Sequence, residues 1–250
     1  MKKLLSLILI LTLAASFSAC AKDSTADTTT SPADALLSDG EVNTGMKEKF
    51  DQMEYASYVD LFYNSNGSAY EGKSFTKDGT FAILEDAYNN VTRYYVWGYA
   101  DNTKCCDYQW EIVLDEGIEI PEAGSYVKVK GTMEKNAAAL DGYWLTGVTL
   151  EVKEGFSNAG FDIDMTTMSP TLVRVEIINM LNFPAIFSGK SIRVFGRALT
   201  PTSIQHPYYN ESWSMDFTAA DTVPAIGEYI LLEGIYNNSI INTQALTVIG

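Results

Sequence analysis

The stretch WEIVLDEGIEIPEAGSYVKVKG at residues 110–131 is answered by WSMDFTAADTVPAIGEYILLEG at residues 213–234. Trp110, Pro121, Gly124 and Gly131 recur as Trp213, Pro224, Gly227 and Gly234 at a constant offset of 103, with no gap. Self-similarity at a fixed spacing marks a structural unit present twice. The same register sets Cys105 and Cys106 opposite Tyr208 and Tyr209. Residues kept in both copies serve shape, so the paired cysteines are an addition that the scaffold itself does not require.

Working upstream, each copy has an apolar segment ending in Asn, then an aromatic, one residue, and Gly-Lys-Ser. These are Tyr58 to Asn64 leading to Tyr70-Glu71-Gly72-Lys73-Ser74, and Val173 to Asn179 leading to Phe187-Ser188-Gly189-Lys190-Ser191. A glycine follows seven residues later in both, at Gly79 and Gly196. The Gly-Lys-Ser pair lacks the upstream glycine of a phosphate loop and is followed by strand-like sequence where a helix is needed, which argues against nucleotide binding. Ser169-Pro170 supplies an N-cap and a proline at the first helical position, predicting a helix to about Asn182. Val173, Val175 and Ile177 also alternate, so a strand is the rival reading.

Downstream of Gly-Lys-Ser, Phe75 to Leu84, Arg93 to Ala100, Tyr108 to Leu114, Tyr126 to Met133 and Tyr143 to Val152 are rich in β-branched and aromatic residues and separated by turn sequences. Five short strands in about 80 residues predict a small barrel of the OB type. The offset between copies falls from 117 at Gly72 and Gly189 to 103 at the tryptophans, so the second copy is 14 residues shorter. Its strands are expected at Ser191 to Leu199, Trp213 to Thr218, Tyr229 to Tyr236 and Thr243 to Ile249. The predicted fold is mainly β: two tandem OB-like small barrels, each preceded by a short helix, the second lacking roughly one strand. Trp110 and Trp213 are expected to pack in core or rim, and Gly131 and Gly234 to sit where a strand bends.

The chain opens with Lys2 and Lys3, an apolar run from Leu4 to Leu13, and small residues leading to Ser18-Ala19-Cys20. This pattern predicts a secretory signal at residues 1–19, with cysteine at the position where lipoproteins are cleaved and acylated. Cys20 is then the lipidation site, although Phe17 replaces the usual leucine and plain cleavage leaving a free Cys20 is the competing reading. Residues 20–45 are Thr, Ser, Asp and Ala with few large apolar side chains, as expected of a flexible spacer. The remaining body divides into domains at 46–155, which carries the Cys-Cys pair, and 156–250, the trimmed copy. The expected location is the outer face of a bacterial membrane, held by lipid.

Without Lys2 and Lys3 the chain has 15 basic and 32 acidic residues, a net charge of −17. Nucleic-acid binding draws on Lys and Arg to displace counterions, so nucleic acid is not an expected partner. Cys105 and Cys106 are adjacent, and a bond between neighbours closes almost no loop, so they are not a structural staple. Three readings stay open for them: a vicinal disulfide, a thiophilic metal or thiol-reactive ligand site, and buried free thiols. Asp101, Asp107 and Glu111 are nearby oxygen donors for a four-coordinate ion. Ser214 stands opposite Glu111, so Glu111 is missing from the same copy as the cysteines. The lone histidine, His206, would join such a site only if the copies face each other, and reads more simply as a surface residue.

The run Asn179-Met180-Leu181-Asn182-Phe183-Pro184-Ala185-Ile186-Phe187-Ser188-Gly189-Lys190, with Cys105-Cys106 in the other copy, resembles lipoproteins of Gram-positive, clostridial-type anaerobes with tandem OB-like repeats. More distantly it is similar to the soluble C-terminal domain of a permease-associated membrane-protein family. The latter family is linked to zinc homeostasis, so the likeness points to zinc only through Cys105 and Cys106 and leaves the cofactor open; a membrane protein or small ligand is the expected partner. One histidine and no Ser-His-Asp set leave little for acid and base chemistry, so the chain reads as a non-catalytic binding module. The ligand would be a thiophilic metal ion or small molecule held at the Cys105-Cys106 loop. The alternative is a cell-surface adaptor that presents Tyr94, Tyr95, Trp97 and Tyr99 to a protein or glycan.

Overall fold

The computed structural model describes residues 71–99, 107–139, 142–156, 160–207 and 213–249. The chain is mainly β. Its first half closes a five-stranded barrel from β1 (Ser74–Asp86), β2 (Val91–Tyr99), β3 (Asp107–Ile112), β4 (Tyr126–Lys135) and β5 (Tyr143–Glu154), in the order β1-β2-β3-β5-β4. All neighbours are antiparallel except β3 and β5, which meet in parallel at Ile112 and Leu145. Closure leaves no open edge, and alternation along each strand sends one set of side chains inward. Phe75, Phe81, Val96, Trp110, Ile112, Val127, Val129 and Leu145 form that interior. Each predicted strand of this copy is present, with ends displaced by at most two residues.

The side chains between them go elsewhere. Ala82 and Leu84 of β1, with Tyr95 and Trp97 of β2, belong to a second apolar cluster built mostly from the other half of the molecule. Its centre is helix α1 (Pro170–Asn182), reached through the short strand β6 (Ile163–Asp164) and a 3₁₀ turn at Met165–Thr167. Ser169 caps α1 as predicted, its side chain accepting from the Leu172 N–H at 3.1 Å, with Pro170 in the first turn. Pro184 opens the one-turn helix α2 (Pro184–Phe187), and Phe183 before it leaves helical geometry because the proline ring crowds it. The Val173-Val175-Ile177 alternation is therefore helical. The alternative strand reading fails because caps at both ends and burial of Leu172, Ile177 and Met180 outweigh a local period of two.

Helix α1 is a wedge between the halves. Asn179 Nδ2 donates to the Glu85 carbonyl at 3.0 Å, and Glu85 N–H donates to Glu176 Oε2 at 3.2 Å. From the other side, the Tyr236 hydroxyl donates to the Met180 carbonyl at 2.7 Å. Glu176 is fully buried, and its second oxygen has no hydrogen-bond partner among the described residues. Burial pushes its carboxyl up to about 8, partly countered by the Glu85 N–H, so it is the neutral acid that packs here.

The second half holds β7 (Ser191–Thr200), β8 (Ser203–Gln205), β9 (Ser214–Phe217), β10 (Tyr229–Asn237) and β11 (Ile240–Ile249), with β6 added alongside β7. Pairing runs β7-β8-β9-β11-β10, and β10 returns to β7. The circuit repeats that of the first half, including the parallel contact of its third and fifth strands. The second copy is trimmed in its second strand, as the shorter spacing predicts: β8 is cut to three residues rather than lost outright. Three residues suffice because Arg197 and Gln205, and Ala198 and Ile204, still keep the register with β7. The helix expected ahead of the first barrel lies outside the described residues.

Repeated residues make repeated bonds. Gly72 and Gly189 both take left-handed backbone, at φ +79 and +86, and donate at 2.8 Å to the carbonyls of Met133 and Tyr236. Met133 and Tyr236 donate back to Lys73 and Lys190 at 2.9 and 3.0 Å. The Gly-Lys-Ser element thus starts the first strand of each copy by pinning it to the fourth. Gly124 and Gly227 likewise donate to Phe81 and Ala198, each at 2.8 Å. A Cβ on Gly79 would lie 2.5 Å from the Trp97 carbonyl oxygen, and one on Gly196 would meet the Gln205 carbonyl oxygen, so both glycines mark close strand crossings. Gly131 and Gly234 stand at register shifts in β4 and β10, where the predicted bend is a bulge.

Candidate functional site

A cavity of about 420 Å³ lies where the two halves meet. The first barrel contributes Trp97 and Tyr99 from the end of β2. The connection contributes Met165, Thr166, Met168, Pro170 and Val173. The second half contributes Arg193, Phe195, His206, Pro207, Trp213 and Leu231. Trp97 is held by its indole N–H, which donates to the Thr167 carbonyl at 2.8 Å, and its ring meets Tyr99 edge-on at 5.4 Å. Trp213 meets His206 edge-on at 5.9 Å, and His206 N–H donates to the Trp213 carbonyl at 3.2 Å. These rings are fixed by packing and hydrogen bonds before any ligand arrives.

The expectation of a surface histidine is overturned: His206 is buried, because the copies do face each other and its loop folds against Trp213. Burial holds its imidazole below the usual histidine value; the Asp107 charge works against this and the Arg174 charge adds to it. At neutral pH it is an uncharged ring. Among the described lining residues Arg193 is the one ionised side chain, and it is already matched. Its Nε donates to Glu233 at 2.9 Å, its Nη1 to Asp164 at 3.3 Å, and its guanidinium lies 4.4 Å from the Phe161 ring centre.

Asp107 and Glu111 do not come together. Asp107 Oδ2 accepts from the Thr171 N–H at 3.2 Å and so helps cap α1 from the first barrel. Glu111 is buried beside Arg93, its Oε1 accepting from Nη1 at 2.6 Å, while Asp86 accepts from Nε at 2.8 Å. Asp86 is partly buried, which alone would raise its carboxyl, yet hydrogen bonds from Asn89 and Arg93 outweigh this and hold it below the ordinary value. Glu111 is absent from the second copy for a reason of its own. Arg93 stands on the part of β2 that the second copy has lost, and Ser214 opposite Glu111 is exposed. Cys20, Asp101, Cys105 and Cys106 lie outside the described residues.

Of the three oxygen donors expected for zinc, Asp107 and Glu111 are each engaged by protein partners, and Asp101 lies outside the described residues with the cysteines. Among the described residues no three of His, Cys, Asp and Glu gather as a metal site. The proposed aromatic platform is also redistributed. Tyr95 is fully buried and Trp97 nearly so, Tyr94 stacks on Phe81 at 5.9 Å inside the barrel, and Tyr99 lines the cavity. Sequence reasoning missed Met165, Met168, Arg193 and Phe195. Met165 and Met168 lie between the copies, where a repeat carries no signal, and Arg193 and Phe195 looked like ordinary strand positions. Searches among known protein families and among curated proteins find no match for the chain.

Proposed function

We propose that this chain is a lipid-anchored, non-catalytic binding protein of two OB-like units, held at the outer face of a bacterial membrane through Cys20, that takes a small ligand in the cavity between its copies. The observation that carries the reading is the placement of that cavity. The segment bearing Cys105 and Cys106 is tethered at Tyr99, which lines it, and at Asp107, which caps the helix whose Pro170 lines it. The matching segment with Tyr208 and Tyr209 is tethered at Pro207 and Trp213, both lining residues. The connection in which the copies differ most in chemistry is thus anchored beside the cavity in each. The strand order β1-β2-β3-β5-β4, repeated in the second half, supports the OB-like description.

Native mass spectrometry of the mature chain carrying Cys20→Ser tests the role of the cysteines, with and without reductant and with zinc added. The reading expects a chain two hydrogens light without reductant that leaves zinc unbound. Stoichiometric zinc uptake lost in Cys105→Ser would replace it with metal handling.

A further inference from the structure

Resting on the reading of the cavity as the ligand site, we infer that its ligand is a flat molecule of two or three fused or linked rings that carries no negative charge. The walls decide the class. Trp97, Tyr99, Phe195 and Trp213 offer ring surface, Met165 and Met168 offer polarisable sulfur that adapts to ring edges, and His206 is a neutral ring at its side. Among the described lining residues an anion finds no unmatched cation. Arg193 is satisfied by Asp164 and Glu233, so an anion would have to compete with two carboxylates already in place. A negative charge moved from water into such a lining loses solvation without replacement. A saccharide is a poorer match, because its many hydroxyls need more polar partners than this lining supplies. Size agrees: a cavity of roughly 150 Å³ holds one benzene ring, so about 420 Å³ takes two or three.

The test uses the mature chain carrying Cys20→Ser and two fluorescent probes that share one ring skeleton. N-phenyl-1-naphthylamine is uncharged, and 8-anilino-1-naphthalenesulfonate adds a sulfonate. The uncharged probe should bind one per chain, and the sulfonate roughly tenfold more weakly or worse. Leu231→Trp, which fills the cavity from β10, should weaken the uncharged probe by about tenfold. Val173→Trp does the same from α1, should the first variant fold poorly. Equal or tighter binding of the sulfonate overturns the ligand class while leaving the cavity as the site. Uncharged-probe binding that ignores both filling variants places the probe elsewhere and overturns class and site together. Failure of both probes to bind overturns the class, and the zinc measurement then decides the reading beneath it.

Discussion

Trp110 and Trp213 occupy the same place in the two copies, and their surroundings differ. Trp110 packs on Phe75 at 5.5 Å within a closed core, whereas Trp213 has Ile192 at the position of Phe75 and turns an edge to His206 at the cavity wall. Trp110 lies within β3 and Trp213 directly precedes β9, the third strand of each circuit. What separates them is the strand beside them: β2 of the first copy is nine residues long and β8 of the second is three. The long strand carries Arg93, Tyr95 and Trp97, which hold an ion pair and the docking face for α1. The short one has no such face. The two copies share one circuit, and the longer second strand gives the first copy the face on which α1 docks while both contribute to the cavity wall.

Protonation of the wedge gives the strongest way to break that arrangement. The folded Glu176 value, about 8, lies above its unfolded value of 4.5. Its contribution is complete below pH 4.5 and is lost as pH rises through 8, a swing on the order of 5 kcal/mol. Denaturant midpoints measured from pH 4 to 9 should fall across this window, and Glu176→Gln should flatten the slope. Next, Glu111→Ala leaves Arg93 buried without one partner and should cost about 3 kcal/mol. Ser214→Ala at the equivalent exposed position should cost less than about 0.5 kcal/mol. Equal costs would mean that the copies do not differ in the way β2 and β8 indicate.

Two smaller effects sharpen the equivalence itself. Gly196→Ala drives a Cβ against the Gln205 carbonyl and should cost about 2 kcal/mol in chemical denaturation, matched by Gly79→Ala against the Trp97 carbonyl. Gly72→Ala and Gly189→Ala meet open space, so only their left-handed backbone is penalised, at about 1 kcal/mol each. Unequal losses within either pair would separate the copies at the level of the scaffold.

The repeat made the scaffold readable. Strand positions, the Ser169-Pro170 helix start and the glycines at strand crossings follow from local chemistry that acts the same way twice. The trimming of the second strand was readable from the 14-residue shortening, but its remnant Ser203–Gln205 was not, because three residues carry no period. The site was harder. Its walls come from one strand end, a unique connection and the outward residues of β7 and β10, and only the packing of one copy on the other brings them together. His206 looked solitary for the same reason. Glu111 was grouped with the cysteines because both vanish from the second copy, yet its partner is Arg93 on a neighbouring strand, a pairing that sequence distance conceals.

The chain has four tryptophans, and they divide cleanly between cavity and remainder. Indole N–H resonances followed by NMR while the uncharged naphthylamine probe is added test the central claim directly. Trp97 and Trp213 line the cavity and should shift together to a single saturation point, while Trp110 and Trp144 stay in place. Movement of Trp110 in step with Trp213 would show that the two copies bind alike, and the account of one shared site between unequal halves would be wrong.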